Sequence, residues 1–149
     1  MTVYQTTITI NAPPEAIWQM LSTVVAWPRW LPTVTSVEHL DAETLVVGHR
    51  FRVLQPKLRP ATWVVSKLEP NRRFEWRANA TGVLMVADHV IERLPSGESS
   101  VLLRFEFRGV VGSLLGVLFS SMTRRYISQE ASSLKLAAEH ESVHVGGRM

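Results

Sequence analysis

Residues 112–141 read GSLLGVLFSSMTRRYISQEASSLKLAAEHE. Apolar side chains recur at Leu115, Leu118/Phe119, Met122, Tyr126, Leu134 and Ala137/Ala138, the pattern of one helical face. Arg124, Arg125, Gln129, Lys135 and Glu139 fall on the opposite face. Ser113 is placed to cap the N-terminus. Unbroken, about 28 helical residues extend about 42 Å, at ~1.5 Å each, enough to lie across a small sheet. No other stretch carries so long a helical repeat, so the remaining sequence must supply the surface this helix packs on.

That remainder is rich in strands. Residues 3–10 (VYQTTITI) alternate along a β-prone run. NAPPEAIWQMLSTV follows, with Pro13-Pro14 suited to the first turn of a helix and Glu15 to its positive end. Ile17, Trp18 and Leu21 form its apolar stripe. VAWPRWLP is interrupted by Pro28 and Pro32, which restricts it to a second short helix carrying Trp27 and Trp30. Strands are then expected at 34–40, 48–55, 61–68, 73–79, 83–94 and 99–108, joined by short connections in an antiparallel meander. The predicted fold is α+β: a seven-stranded curved antiparallel sheet around a long C-terminal helix, with two short helices after the first strand. A straight helix cannot fill a curved sheet along its whole length, so an apolar pocket is expected between them.

Composition narrows the function classes. The 149 residues are 46% apolar, enough for one core, and 19% charged, too few for a disordered chain. We expect a single domain over 1–141 and a frayed tail over 142–149. The net charge of +3 is scattered along the chain and not gathered into a block, which argues against nucleic acid as a partner. There is no cysteine, hence no disulfide framework and no thiol nucleophile. The opening MTVYQTTITI lacks the pattern of a signal peptide, and the longest apolar run falls short of a bilayer span. A cytoplasmic protein without stable membrane insertion is expected, as a monomer or weak homodimer.

The ordered set ITINAPPEAIWQMLSTVVAWPRWLPTV, EPNRRFEWRA, DHVIERL and LLRFEFRG before the last helix resembles the polyketide cyclase/dehydrase group of the START-like (SRPBCC) superfamily, which includes the birch pollen allergen. The resemblance covers residues 3–140. It implies a helix-grip fold with a deep pocket for a hydrophobic ligand such as a lipid, polyketide or isoprenoid. It says little about chemistry, because the superfamily mixes carriers, cyclases and chaperone activators.

Candidate site residues follow from which strand face meets the helix. In VLMVADHVIERL, Met85, Ala87, His89 and Ile91 form the less charged face. His89 is therefore an imidazole in an apolar wall: a core histidine, a ligand contact, or a general acid or base. Tyr126, on the helix stripe, needs a partner for its hydroxyl and is the second candidate for acid/base work, beside His89. Trp76 and Phe74 share a face directed at the helix. Phe51 and Phe105 fall on inward strand faces, and Trp30 sits between two prolines at the expected mouth. Leu115, Leu118, Phe119 and Met122 are expected as the adaptable lid. Gly109, Gly112 and Gly116 either loosen this end as a gate or allow close packing.

Glu75, Asp88, Glu92 and Glu106 are read, with Arg77, Arg104 and Arg108, as exposed cross-strand pairs. His140 and His144 have helical spacing but no acidic or cysteine partner, so no metal site is expected. No cofactor motif is present. Three readings stay open: a carrier or sensor of a hydrophobic small molecule, a cofactor-independent cyclase or dehydratase using His89 and Tyr126, and a protein-interaction module.

Overall fold

The computed structural model describes residues 2–41, 45–80 and 82–146, the side chains of Ser113 and 141–146 excepted. Strand β1 (Thr2–Ile10) leads into helix α1 (Pro14–Ser22) and a 3-10 helix over Val24–Arg29. Six strands follow: β2 (Ser36–His39), β3 (Arg50–Leu54), β4 (Ala61–Glu69), β5 (Arg73–Ala80), β6 (Val83–Arg93) and β7 (Ser99–Arg108). The chain ends in α2 (Gly112–Leu118) and α3 (Ser120–Gly146). The sheet is seven-stranded and antiparallel, in the order β1-β7-β6-β5-β4-β3-β2.

The turn chemistry explains why the meander closes where it does. Asn71 and Gly97 take positive φ, at 64° and 91°, in the β4–β5 and β6–β7 connections, the conformation those tight turns require. Ser66 is the extra residue where the β4–β5 register shifts between Val65 and Lys67. Such a bulge bends a strand and increases its twist, and the concave face it helps to form carries the core.

The long helix is not continuous. It breaks at Phe119, whose φ of −102° and ψ of 18° leave the helical region. The hydrogen-bond ladder survives the bend: Phe119 N–H donates to the Leu115 carbonyl at 2.9 Å, and Thr123 N–H to that of Phe119 at 2.9 Å. The Thr123 hydroxyl donates to the same Phe119 oxygen at 2.8 Å, a back-bond of the kind that bends helices. Helix α2 is capped by Val111 and begins at Gly112, so Ser113 lies inside its first turn and not at the cap. At the far end α3 runs on to Gly146, into the segment expected to fray. Residues 147–149 lie outside the described residues.

Packing fixes α2 more firmly than its glycines suggest. A Cβ on Gly116 would stand 2.6 Å from Thr2 Cβ and 2.8 Å from Thr2 Oγ1. The missing side chain lets the helix backbone reach β1, where the Tyr4 hydroxyl donates to the Gly116 carbonyl at 2.6 Å. Close packing, and not a loose gate, is what Gly116 serves.

The outer sheet face also departs from expectation. Glu75, Asp88 and Glu106 are buried, while Glu92 is exposed. Arginine and lysine side chains, two residues along the same strand or on the next one, pair with the three buried carboxylates. Arg73 grips Asp88 through Nη2 at 2.6 Å, Arg77 approaches Glu75 at 3.2 Å, and Arg108 Nη2 meets Glu106 at 3.0 Å. Arg77 and Glu75, and likewise Arg108 and Glu106, are two apart on one strand and so share a face, while Arg73 reaches Asp88 across to β6.

Candidate functional site

Between the concave face and the two C-terminal helices lies a cavity of about 300 Å³. Strand alternation builds its floor. Ala87 of β6 sits between Trp76 of β5 and Phe105 of β7 in one cross-strand row. A methyl group flanked by two large rings leaves a hollow. Trp63 of β4 closes over it, with its ring 5.4 Å from Trp76 and 6.1 Å from Phe105. Leu115, Phe119, Met122, Thr123, Tyr126 and Ile127 form the roof from α2 and α3. Gln55 and Leu58, after β3, border the opening together with Phe119 and Tyr126. Leu58 and Phe119 also reach solvent, which marks the mouth.

At the inner wall His89 is 3% exposed and held at both ring nitrogens. Nδ1 lies 2.9 Å from the carbonyl oxygen of Phe74, its cross-strand partner. A carbonyl only accepts, so Nδ1 carries a proton. Nε2 lies 3.1 Å from Glu130 Oε1. With Nδ1 protonated, this second contact also requires a proton between Nε2 and the carboxylate. Burial pushes the imidazole down, but the Glu130 hydrogen bond and charge, then the Phe74 carbonyl and Asp88, push it up, and its pKa stands above 6.5. Trp27 packs edge-on against the ring at 5.7 Å, and the Trp27 indole N–H donates to the Leu21 carbonyl at 3.1 Å. The cavity is thus apolar except for this His–carboxylate pair and a few peripheral hydroxyl and amide groups.

Eight of the eleven residues expected around a ligand line this cavity: Trp76, Met85, His89, Phe105, Leu115, Phe119, Met122 and Tyr126. The structure places three elsewhere. Trp30 ends the 3-10 helix with φ −126°; its backbone leaves the helix there, and its ring lines a shallow outer groove beside Met20 and Ala137. Trp27, 5.9 Å away, takes the inner position. Phe51 is buried behind the wall, stacked on His49 at 4.3 Å. Leu118 is exposed, because Leu115 and Phe119, four apart, define the inward face of α2 and leave Leu118 outside.

Tyr126 lines the cavity, but its hydroxyl donates to the Pro56 carbonyl at 3.4 Å. The partner of His89 is Glu130. Two histidines also meet away from the cavity, His39 Nδ1 and His49 Nε2, at 2.9 Å. Among the described residues no group of three His, Cys, Asp or Glu side chains could hold a metal ion; the His144 side chain lies outside them. No helix among the described residues is long and apolar enough to cross a membrane.

The family described as polyketide cyclase/dehydrase and lipid transport matches residues 1–139. Among solved structures, the ZhuI aromatase/cyclase from a Streptomyces species is 18% identical, with a TM-score of 0.73 over 92% of this chain and 93% of that one. A hypothetical protein from Helicobacter pylori is 14% identical, with a TM-score of 0.77 over 92% of this chain and 86% of its own. The di-domain aromatase/cyclase BexL is 18% identical, with a TM-score of 0.69 over 97% of this chain and 47% of its own. At these identities the likeness is one of fold, the helix-grip arrangement. No curated protein matches the sequence.

Proposed function

Because this chain belongs to the polyketide cyclase/dehydrase and lipid transport family, we propose that it binds a hydrophobic small molecule between the sheet and the C-terminal helices. The observation that carries this reading is the cavity itself: rings and aliphatic side chains on nearly every side, closing on one buried His89–Glu130 pair. Its volume of about 300 Å³ stands at the small end of ligand pockets. A lipid, polyketide or isoprenoid-like body fits the aromatic walls, and a keto or hydroxyl oxygen fits the proton held between Nε2 and Oε1. The working form is a cytoplasmic monomer or weak homodimer.

The hollow over Ala87 supplies the test. Ala87→Phe fills the floor between Trp76 and Phe105 without touching the His89–Glu130 pair. Native mass spectrometry of gently purified wild-type protein is expected to show a copurified apolar compound, and Ala87→Phe to lose it while folding normally. Wild-type protein that is always empty, and gains no thermal stability from any lipid or polyketide in a panel, would count decisively against the proposal.

The His89–Glu130 pair favours one further reading, a cofactor-independent cyclase or dehydratase. A carboxylate in an apolar site can take the proton α to a ketone, and an imidazolium can give one to a departing β-hydroxyl, which leaves as water while the new C=C forms. Tyr126, in the roof of the same cavity, would position the substrate. Glu130→Gln should then abolish turnover of a β-hydroxyketone with binding retained; equal turnover by wild type and variant would exclude this role.

A further inference from the structure

The outer face of α2 is unusually apolar. Leu114, Val117 and Leu118 are 62%, 67% and 67% exposed, at spacings that put them on one side of α2, and Val110, in the turn before it, is 96% exposed. The opposite side is pinned to β1 through Gly116 and Tyr4. This segment is apolar on two faces, one packed and one bare. Bare apolar surface gathered on one short helix marks an interaction site.

Charge identifies the occupant. The segments that border the mouth carry no acidic residue: none occurs from Arg50 to Leu68, nor from Phe107 to Gln129. Lys57 and Arg59 stand exposed on the β3–β4 loop, and Arg124 and Arg125 on the first turns of α3. Arg124 lies 5.4 Å over the Tyr4 ring, at the β1 side of α2 that the Tyr4 hydroxyl holds, and Arg125 follows seven residues after Leu118, one helical repeat further along. Exposed leucine and valine on a segment with exposed cations and no acidic residue is the chemistry of a helix lying in the interface of an anionic bilayer.

We propose that the outer face of α2 docks this protein on the surface of anionic lipid bilayers, with the cavity mouth beside the contact. Phe119, which both lines the cavity and reaches solvent, joins the two. The docking is peripheral: Leu114, Val117 and Leu118 enter the headgroup–acyl boundary, and Lys57, Arg59, Arg124 and Arg125 meet lipid phosphates. It rests on the α2 surface and stands independently of which compound occupies the cavity.

Cosedimentation with extruded vesicles tests it. Wild-type protein is expected to pellet with phosphatidylcholine–phosphatidylglycerol vesicles, less with phosphatidylcholine alone, and less as salt is raised. Leu114→Asp with Val117→Asp should abolish pelleting, and neither side chain lines the cavity. Arg124→Gln and Arg125→Gln should each lower the partition coefficient about fivefold. Thermal stabilisation by the ligand panel, measured on the same variants, reports the cavity separately.

Three outcomes overturn the proposal: no pelleting with anionic vesicles, pelleting unchanged in the α2 double variant, or equal pelleting with neutral and anionic vesicles. A dimer by light scattering that the double variant dissociates, without vesicle binding, would assign the face to a second copy of the chain and overturn it too.

Discussion

Replacing Glu130 with leucine would isolate the one charged contact in the cavity wall. His89 is 3% exposed, and its Nε2 has a single partner, Glu130 Oε1, at 3.1 Å. Stranding a fully charged buried imidazole would cost about 3–5 kcal/mol. The imidazole can instead release its proton, which leaves an unpaired ring nitrogen at about 1–3 kcal/mol. The second route is cheaper at neutral pH, so the expected loss is about 2 kcal/mol, or about 4–8 °C in Tm for a chain of this size.

The pH dependence follows from the shift. In the wild type the His89 pKa is raised above 6.5, with burial opposed and outweighed by Glu130 and Phe74. A raised folded value means that the pair stabilises fully below the unfolded value and that this contribution is lost as pH rises through the folded one. Without Glu130, burial dominates and the folded value falls below 6.5, so the variant loses stability as pH falls through 6.5. The gap between the two proteins must therefore widen on acidification. Urea unfolding followed by tryptophan fluorescence, between about pH 5.5 and about pH 8.5, measures it. A gap that stays constant with pH, or grows towards alkaline pH, refutes the reasoning. In a His89→Phe background, Glu130→Leu should cost little; an undiminished loss would show that Glu130 stabilises through other contacts.

Gly116→Ala should destabilise the protein, although alanine is worth ~1 kcal/mol more than glycine inside a helix. The added methyl would meet Thr2 Cβ at 2.6 Å, and Thr2→Gly should restore stability in urea; a stabilised single variant would show that α2 moves freely against β1. Glu106 is 1% exposed, and the Arg108 hydrogen bond, against burial and with the charges of Arg108, Arg104 and Arg77, holds its carboxyl below 4.5. A depressed value stabilises above 4.5 and is lost as pH falls through the folded pKa, so the advantage of wild type over Glu106→Gln should be present at neutral pH and shrink in acid denaturation.

The strands were legible because alternation and turn residues agree along the whole meander. Arg73-Phe74-Glu75-Trp76-Arg77-Ala78 declares both faces, and the structure keeps them. What alternation cannot show is curvature. In a flat sheet the polar face is wet, so Glu75, Asp88 and Glu106 read as exposed, whereas arginines of their own and the next strand pair with them and they are buried. The helix break was hidden for a related reason: the apolar repeat runs through Phe119 without a proline, Gly116 serves contact with Thr2, and the Thr123 hydroxyl that back-bonds to Phe119 also suits a straight helix. Leu118 was misplaced because the stripe offers Leu118 and Phe119 at one step, and Phe119, four residues from Leu115, takes the inward place.

The candidate site was legible by face and missed by partner. Met122, Tyr126 and Leu134 mark a stripe with one gap at four-residue spacing, and the gap is Glu130. An acid on an apolar stripe was the available signal for the partner of His89. Trp27 and Trp30 could not be separated by sequence, since three residues of 3-10 helix place both rings on one side, and only the departure of Trp30 from the helix sends one inward and the other out.

The pairing of β1 with β7 sets a schedule for biosynthesis. Thr2 is opposite Phe107 and Ile10 opposite Ser99, so the first strand made waits for the last before it has any neighbour in the sheet. At about 5–20 residues per second, translation of the intervening chain takes about 5–20 s. For that interval VYQTTITI is an unpaired, uncharged, β-prone segment of the nascent chain, the composition that invites pairing with a second copy. Once β7 and α2 emerge the hazard shrinks: β1 gains its ladder on one edge, and Tyr4 gains the α2 carbonyl that fastens the helix to it. Substitutions that delay β7 should therefore lower the soluble yield out of proportion to their effect on the stability of the finished fold.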